Sequence, residues 1–230
     1  MPRLAIIPAR GGSKRIPRKN IRDFHGKPII AYSIETALNS GLFDEVMVST
    51  DDEEIADIAG QYGAKVPFLR SEQNSDDTAS TLAVILEVLE KYKEFGLEFE
   101  KVCCIYPTAP LIKAEDLNAG LELLSGDIAS VFPVMPFSFP ILRSLKVSED
   151  HFVSMNWPEH SQTRSQDLAP AYHDAGQWYW LRPDLIKDSL YTDKSKVIIL
   201  SEMDVQDIDN DSDWKMAEMK WSLANSEFQI

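Results

Sequence analysis

The sequence predicts an α/β fold of three layers, in which a mostly parallel sheet lies between helices. Between residues 4 and 134, short apolar runs alternate with segments of helical periodicity, and each run ends in polar, glycine or proline residues. Strand–helix–strand units bring successive strands into a sheet in parallel, so this alternation favours a parallel sheet covered on both faces. With 230 residues, 44% of them hydrophobic, the chain is expected to form a single domain over residues 1–230.

The strands are predicted from the apolar runs, and the helices from apolar side chains that recur three and four residues apart. Pro28 opens the first helix and Gly41 follows its end, while Leu82, Ile85 and Leu89 form one face of the third helix. The predicted strands are residues 4–8, 46–49, 65–69, 102–106, 128–134 and 197–200. The predicted helices are residues 28–39, 53–62, 78–95, 114–124 and 212–223, and the α/β pattern is expected to resume at residues 183–187.

The alternation breaks between about residues 133 and 180, where prolines stand at positions 133, 136, 140, 158 and 170. No long helical pattern occurs in this stretch, which is interpreted as a small β-rich inserted region. Phe132, Phe137 and Phe139 would give it an apolar surface. A contiguous apolar surface indicates burial against a partner, and we therefore expect a homodimer.

The composition excludes several classes of protein. A net charge of −14 argues against a nucleic-acid-binding surface, because phosphate contacts need an excess of basic residues. The longest apolar stretches are far too short to span a bilayer, and the basic start of the chain lacks the features of a signal peptide. Cytoplasmic residence is therefore expected. Cys103 and Cys104 are neighbours in a predicted strand, so they should point to opposite faces as buried thiols.

One short loop concentrates the positive charge. Of the 23 basic residues, six lie between positions 10 and 22, namely Arg10, Lys14, Arg15, Arg18, Lys19 and Arg22. Gly11 and Gly12 permit a tight turn with close backbone approach, and Ser13 adds a hydroxyl beside cations that bind phosphate oxygens well. The spacing matches neither a Walker loop nor a dinucleotide-binding fingerprint. The loop is interpreted as a polyanion site, with a solvated basic loop as the alternative.

A pair of carboxylates lies far along the chain. Asp207 and Asp209 should project to the same side of an extended segment, because side chains alternate with a period of two. Two hard oxygen ligands on one side suit Mg²⁺, which takes its remaining ligands from phosphate and water. The alternative is that the acidic residues cap the following helix, which would account for Asp211 and Asp213.

The loop over residues 9–20 reads Ala-Arg-Gly-Gly-Ser-Lys-Arg-Ile-Pro-Arg-Lys-Asn, and it resembles the signature loop of the acylneuraminate cytidylyltransferase family. That family comprises the CMP-nonulosonate synthetases. The resemblance extends through several motifs from Ile6 to about Trp214. It implies a Rossmann-like nucleotidyltransferase fold, CTP as the nucleotide, Mg²⁺ as the cofactor and pyrophosphate as a product.

The resemblance also implies roles for single residues. By position in the signature loop, the nucleotide is expected to contact Ala9, Arg10, Gly11, Gly12, Ser13, Lys14, Lys19 and Asn20. Arg10, Lys14, Lys19 and Asp209 are the expected catalytic residues. Asp207 and Asp209 are the expected metal ligands, as in the family.

Two further motifs precede predicted helices. The Asp-Thr-Ala-Ser match at residues 77–80 implies that Ser80, with Arg70 upstream, contacts the cytidine. Either Asp77 or Thr78 could instead serve as the helix N-cap. Residues 106–111 resemble the Gln-Pro-Thr-Ser-Pro-Leu loop of sialate-activating members, with Tyr106 in place of the glutamine.

The choice of sugar is expected to depend on the end of the inserted region. There the chain reads His-Asp-Ala-Gly-Gln-Trp-Tyr-Trp, which departs from the sialate enzymes and resembles the pseudaminic acid branch. The residues expected to contact the sugar or an interface are Arg164, Gln166, His173, Asp174 and Gln177. His173 could act as a general base or be an ordinary hydrogen-bonded histidine.

The resemblance thus implies transfer of CMP from CTP to the anomeric hydroxyl of an acidic nine-carbon sugar, for surface glycoconjugate or flagellin glycosylation. Pseudaminic acid is the expected acceptor, and sialic, legionaminic and 3-deoxy-manno-octulosonic acids are alternatives. A nucleotide-binding regulatory module would have no reason to keep the Asp207/Asp209 pair. A sugar-phosphate hydrolase would need a nucleophilic or two-metal constellation, and none is recognised in the sequence.

Overall fold

The computed structural model of the chain describes residues 2–76 and 78–226, within which there are eleven strands and five α-helices. The strands are β1 (Arg3–Pro8), β2 (Asp23–Phe24), β3 (Lys27–Pro28), β4 (Glu45–Ser49), β5 (Lys101–Ile105), β6 (Ser130–Pro136), β7 (Leu145–Val147), β8 (Val153–Met155), β9 (Tyr172–Asp174), β10 (Trp178–Leu181) and β11 (Ser195–Ile199). The helices are α1 (Ile29–Asn39), α2 (Glu53–Gln61), α3 (Thr81–Glu94), α4 (Ala114–Leu123) and α5 (Asp211–Asn225).

Seven of the strands form the central sheet, in the order β11-β6-β10-β5-β1-β4, with β9 paired to β6. β1 runs parallel to both β4 and β5, and β11 runs parallel to β6. β10 is antiparallel to both β5 and β6, so β6 has the same direction as β5. Five strands therefore share one direction and two oppose it, which confirms the predicted α/β fold with a mostly parallel sheet.

Alternate side chains of the sheet face two separate helical layers. On one face, Ile7, Cys103 and Trp180 pack with α1, α2 and α4. On the other face, Ile6 and Cys104 pack with α3. The three-layer arrangement is thus confirmed, and the two free thiols lie buried on opposite faces as expected. Burial raises the pKa of both thiols, to about 12 for Cys104.

Close contact between α4 and the sheet depends on one glycine. A Cβ built on Gly120 would lie 2.6 Å from the ring of Trp178 and 2.9 Å from that of Trp180. Because the glycine leaves room, both indole rings are fully buried beneath the helix, and Trp180 Nε1 donates to the Leu117 carbonyl at 2.9 Å. Packing against α4 therefore holds β10 in place, and β10 directly follows the predicted sugar-contacting residues in the chain.

Three details differ from the expectations. Residues 65–69 form only an isolated bridge between Lys65 and Met47, since Pro67 has no N–H to donate to a ladder. Helix α3 begins at Thr81 with Ser80 as its N-cap, so Thr78 does not cap it, and Asp77 lies outside the described residues. Residues 183–187 form turns in place of a regular element.

The stretch between β6 and β9 lies outside the central sheet. It holds the β7–β8 hairpin and three short 3-10 turns, at Ile141–Arg143, Pro158–His160 and Ser165–Asp167. We call residues 137–171 the excursion. Phe139 is 85% exposed and Phe152 is 77% exposed, so apolar side chains cover part of its surface. Within residues 2–76 and 78–226, no helix is both long and apolar enough to cross a bilayer.

Candidate active site

The basic loop leaves the carboxyl end of β1 and is held tightly by its neighbours. The Gly11 N–H donates to Asp51 Oδ1 at 2.9 Å, and the buried Asn20 amide donates to the Arg10 carbonyl at 2.9 Å. A Cβ on Gly11 would lie 2.6 Å from Asp52 Oδ2, so any larger residue there would displace Asp52 or the loop. The loop is thereby closed into a compact turn beside β4.

Arg18 fastens the far side of the loop to the start of α2. Its backbone is left-handed, with φ 53°, and its guanidinium forms ion pairs with Asp52 and Glu54. The hydrogen bond from Arg18 lowers the pKa of the Asp52 carboxyl, which also caps α2 by accepting from Ile55 N at 3.0 Å. The polar segment after Thr50 is a candidate site element by its place at the end of a strand, and that position is the only signal in the sequence for Asp51 and Asp52.

The loop forms one wall of a cleft of about 220 Å³ at the carboxyl ends of β1 and β5. Residues from the loop, from the start of α3 and from the segment after β5 line it, among them Arg10, Ser13, Lys19, Asn20, Arg70, Ala79, Thr81, Tyr106, Pro107 and Thr108. The structure therefore brings together four of the predicted loop residues and Arg70. Lys14 lies on the exposed part of the loop, and Ser80 is exposed at the N-cap of α3.

Arg70 is a buried cation at the base of this cleft. Its Nε donates to Ser49 Oγ at 3.0 Å, and its terminal nitrogen donates to the Ser49 carbonyl. Burial lowers the pKa of the guanidinium, while the nearby Asp51 carboxylate opposes that change. Because its partners at Ser49 are neutral, Arg70 contributes positive charge to the cleft.

Lys19 connects the basic loop to the predicted metal ligands. Its ammonium donates to the Ile208 carbonyl at 2.7 Å, across 189 residues of chain. Burial lowers the pKa of Lys19, and the nearby carboxylates of Asp209 and Asp207 act in the opposite direction. The contact places the two carboxylates, which flank Ile208 in the chain, at the edge of the cleft.

We call residues 202–210 the acidic segment. Asp207 is exposed, yet desolvation by nearby protein atoms and then the charge of Asp209 raise the pKa of its carboxyl. Asp209 forms a salt bridge to the exposed Arg15 at 2.8 Å. Asn210 caps α5 in a capping box with Asp213, and Asp211 pairs with Arg22. Of the acidic residues expected to cap this helix, Asp213 does so, together with Asn210. The carboxylates of Asp207 and Asp209 take no part in the capping box.

The donor set of the acidic segment fits a Mg²⁺ ion that substrate helps to bind. Among the residues that the structure describes, no three His, Cys, Asp or Glu side chains form a metal-binding group on their own. Asp207 and Asp209 offer carboxylate oxygens close enough to repel each other, and Mg²⁺ is commonly held by one or two carboxylates with phosphate and water.

The predicted sugar-contacting residues fall into two places. His173 and Asp174 line a second cavity of about 300 Å³, together with Asp207 and Lys220. Arg164 and Gln166 lie exposed on the excursion, where the Gln166 amide oxygen, oriented toward the guanidinium, accepts from Arg164 at 2.6 and 3.2 Å. The structure thus groups the first two residues with a metal-ligand candidate and places the other two apart from it.

Contacts inside the protein already occupy two of these side chains. The Asp174 carboxylate accepts from the Tyr179 hydroxyl at 2.8 Å, from the Tyr191 hydroxyl and from the Gly176 N–H. Gln177 is buried and donates to the Asp204 carbonyl at 2.6 Å. Both residues therefore support the loops around the second cavity.

His173 is bound through one ring nitrogen. Its Nδ1 lies 2.9 Å from the Asp174 carbonyl oxygen, and its ring centroid lies 4.8 Å from that of Phe137. A donor contact from Nδ1 would place the acceptor nitrogen, Nε2, on the other side of the ring. The geometry is that of an oriented histidine at the edge of the second cavity.

Tyr106 lines the first cleft and packs against a tyrosine that contacts Asp174. Its hydroxyl is 3.0 Å from Thr81 Oγ1, and its ring packs 5.5 Å from that of Tyr179. Burial raises the pKa of its hydroxyl, which stays protonated and so retains a hydrogen to donate. The tyrosine links the start of α3 to the group around Asp174.

The chain is similar to known cytidylyltransferases in sequence and in fold. A family model described as cytidylyltransferase matches residues 4–177. A pseudaminic acid cytidylyltransferase of Campylobacter jejuni subsp. jejuni serotype O:2 is 45% identical over 230 residues, covering 97% of this chain and 97% of that protein. A CMP-N,N'-diacetyllegionaminic acid synthase of Legionella pneumophila is 36% identical and covers 96% of each chain. CMP:2-keto-3-deoxy-manno-octonic acid synthetase, solved with CTP, shares the fold with a TM-score of 0.70 at 18% identity, over 97% of this chain and 100% of that one.

The fit of Gly11 against Asp52 generates a prediction for the basic loop. Gly11→Ala should push the loop away from Asp51 and Asp52 and weaken CTP binding by about tenfold or more, because overpacking typically costs about 1–3 kcal/mol. Calorimetric titration with CTP measures the effect. Gly12→Ala is the matched control, since a Cβ there meets no atom within 4 Å. Equal CTP affinity for the two variants would contradict the prediction.

Proposed function

Because the chain belongs to the cytidylyltransferase family, we propose that it transfers the CMP group of CTP to the anomeric hydroxyl of pseudaminic acid and releases pyrophosphate. The chain is a nucleotidyltransferase, as its relatives are. The relative at 45% identity carries the proposal of pseudaminic acid, because the similarity extends over 97% of both chains.

In this reaction the cleft cations have an electrostatic task. A carboxylated sugar must approach a triphosphate, and two anions of this kind repel each other. Arg10, Lys19 and the exposed Lys14 are proposed to bind phosphate oxygens, and fixed cations stabilise the charge that develops on departing pyrophosphate. Because the loop is already closed by Asn20 and Asp51, little reorganisation accompanies binding.

The remaining nucleotide contacts are proposed from the signature loop and from the motif that precedes α3. The backbone of Ala9, Gly11 and Gly12 lies beside the phosphates in this proposal, with the Ser13 hydroxyl and Asn20 next to it. Arg70 and Ser80 are proposed to contact the cytidine, Arg70 from the base of the cleft and Ser80 from the N-cap of α3. The support is their convergence at the carboxyl ends of parallel strands, where such sheets bind ligands.

Asp207 and Asp209 are the residues that would hold Mg²⁺. When bound, the ion supplies positive charge at the phosphates and a Lewis acid at the reacting phosphoryl group. Arg15 would release Asp209 in this arrangement, since their salt bridge is exposed and therefore weak. Lys19 holds the intervening Ile208 carbonyl, which keeps both carboxylates near the phosphates.

The sugar is proposed to enter the second cavity, next to Asp207. His173 contributes an oriented imidazole there, and Asp174 and Gln177 keep the walls in place through their internal hydrogen bonds. Arg164 and Gln166 lie on the excursion, so we assign them to an interface between subunits. The reaction is placed in the cytoplasm, where CTP is available.

A panel of acceptors tests the proposed function. The protein is incubated with CTP and Mg²⁺ and with each of four sugars: pseudaminic, legionaminic, sialic and 3-deoxy-manno-octulosonic acid. Pyrophosphate release should be fastest with pseudaminic acid, by at least tenfold in kcat/KM. A higher kcat/KM for any of the other sugars would overturn the acceptor assignment. Absence of pyrophosphate with all four would overturn the proposed reaction.

The carboxylate pair gives a second prediction. Asp209→Asn should lower turnover by about two orders of magnitude or more, because it removes one preorganised charge from the reacting centre. The measurement is pyrophosphate release at limiting Mg²⁺. Asp211→Asn is the control, since it removes the same charge two residues away, where the carboxylate pairs with Arg22. Near-normal turnover by Asp209→Asn would remove Asp209 from the metal site.

A homodimer is part of the proposal. The β7–β8 hairpin is isolated from the central sheet, and Leu145, Val147 and Val153 on it are all more than half exposed. Two-stranded hairpins are marginally stable without a packing partner. Phe139 and Phe152 add exposed aromatic surface nearby, and a second copy of the chain would cover it.

Charge substitution tests the dimer. Phe139→Asp combined with Phe152→Asp should convert a dimer into a monomer, because each buried carboxylate would be unpaired in the interface. Light scattering coupled to size exclusion measures the mass. Phe95→Asp is the control, since Phe95 is 57% exposed at the end of α3, away from the excursion. A monomeric unsubstituted protein at micromolar concentration would contradict the prediction.

A further inference from the structure

The acidic segment carries both proposed metal ligands but has almost no regular structure. Its only element is a 3-10 turn at Glu202–Asp204, and residues 205–210 are irregular. Backbone outside helices and strands lacks the regular partners of a ladder, so hydrogen bonds from side chains contribute strongly to its position. The position of Asp207 therefore depends on the groups that donate to this segment.

Helix α5 holds the segment at its downstream end. Asp213 Oδ2 accepts from the N–H groups of Asp209 and Asn210, at 2.9 and 3.1 Å. The Asn210 side chain accepts in return from Asp213 N at 3.1 Å. This capping box fixes Asp209 to the first turn of the helix.

The same helix reaches back to the upstream end. The Lys220 ammonium, on the third turn of α5, donates to the Glu202 carbonyl at 2.8 Å and to the Val205 carbonyl at 2.7 Å. The ammonium forms no salt bridge within the described residues, although the nearby Glu202 carboxylate favours its charged form. Burial lowers the pKa of the ammonium, in keeping with its position beneath the segment.

Hydrogen bonds from an ionised donor are among the stronger ones in proteins, and a lysine has the three N–H groups needed to hold two carbonyls at once. Lys220 also lines the second cavity, as do Gln206 and Asp207. Val205, which it holds, is buried and lies two residues before Asp207. Loss of the ammonium would leave the Glu202 and Val205 carbonyls without this donor.

We propose that Lys220 is a positioning residue for the acidic segment: by holding the carbonyls of Glu202 and Val205, it sets the place of Asp207 and thereby the affinity for a divalent cation in the presence of CTP. This inference rests on the proposed function in one respect only, the assignment of the cation to Asp207 and Asp209. The residue acts through the backbone and does not itself contact the reacting atoms.

The test compares Lys220→Met with Lys215→Met. Methionine keeps most of the lysine stem and removes the N–H groups, while Lys215 is exposed on the same helix, so its substitution removes the same charge. Mn²⁺ serves as the probe, with its binding in the presence of CTP followed by electron paramagnetic resonance. Lys220→Met should bind Mn²⁺ at least tenfold more weakly, as loss of groups that orient metal ligands commonly does, and Lys215→Met should match the unsubstituted protein.

Two further readouts separate positioning from a general loss of structure. Amide hydrogen exchange should accelerate in peptides covering residues 202–208 and stay unchanged in the central sheet. The kcat should fall by about tenfold or more, whereas KM for the sugar should stay within about twofold. Lys220→Arg retains a charged donor and should recover part of the Mn²⁺ affinity. Lys220→Gln retains donors without charge, and it provides the test if the methionine variant does not fold.

Unchanged Mn²⁺ affinity in Lys220→Met and in Lys220→Gln would overturn the inference. So would a rise in KM for the sugar alone, because that result would make Lys220 a sugar contact. The binding and exchange measurements need no acceptor sugar. Failure of the unsubstituted protein to release pyrophosphate would therefore count against the proposed function, while loosening of residues 202–208 in the variant would still support the role of Lys220.

Discussion

The hydrogen bond from Lys19 to the Ile208 carbonyl, at 2.7 Å, joins two loops that are 189 residues apart in the chain. The basic loop and the acidic segment leave different strands, and a salt bridge between Arg15 and Asp209 joins them at the surface as well. A half-buried ammonium between Asp207 and Asp209 lowers the repulsion of those carboxylates, which would otherwise push the segment outward. The contact therefore brings the proposed metal ligands next to a residue that lines the cleft.

The cations of the basic loop have two roles, since some pair with carboxylates of the protein and others line the cleft. Arg15, Arg18 and Arg22 are each paired with carboxylates, at Asp209, at Asp52 with Glu54, and at Asp211. Arg10 and Lys19 line the cleft together with Arg70. Pairing of half of the six cations with acidic neighbours reduces the repulsion among like charges in the loop.

Features that depend on local pattern were well predicted from the sequence. The apolar runs identified the strands that carry Pro8, Ser49 and Ile105 at their ends, and the glycines of the basic loop indicated its tight turn. Residues 65–69 were wrongly predicted as a strand, because an apolar run containing Pro67 satisfies a hydropathy pattern but not a hydrogen-bond ladder. The N-cap of α3 was predicted at Asp77 or Thr78 and is Ser80, because several polar residues that could cap a helix precede it.

Contacts between distant parts of the chain were beyond prediction. Nothing local distinguishes Asp51, which binds Gly11, or Lys220, which binds two carbonyls, from ordinary surface charges. Gln177 appeared in the sequence as a candidate sugar contact, yet it is buried and turned toward Asp204. Hydrogen bonds from side chains to distant backbone carbonyls produce no periodic pattern in the sequence, so they can be identified only in the folded structure.

The two cysteines are buried back to back on either side of β5, with their thiols held protonated at neutral pH. Thiolates are the form that reacts with alkylating reagents and oxidants, and a group that is both buried and protonated is inert to them. The two natural thiols would therefore not react with a reagent that is directed at an introduced surface cysteine. A spectroscopic label could be attached to the acidic segment without removing either natural thiol, and distances across the cleft could be followed during turnover.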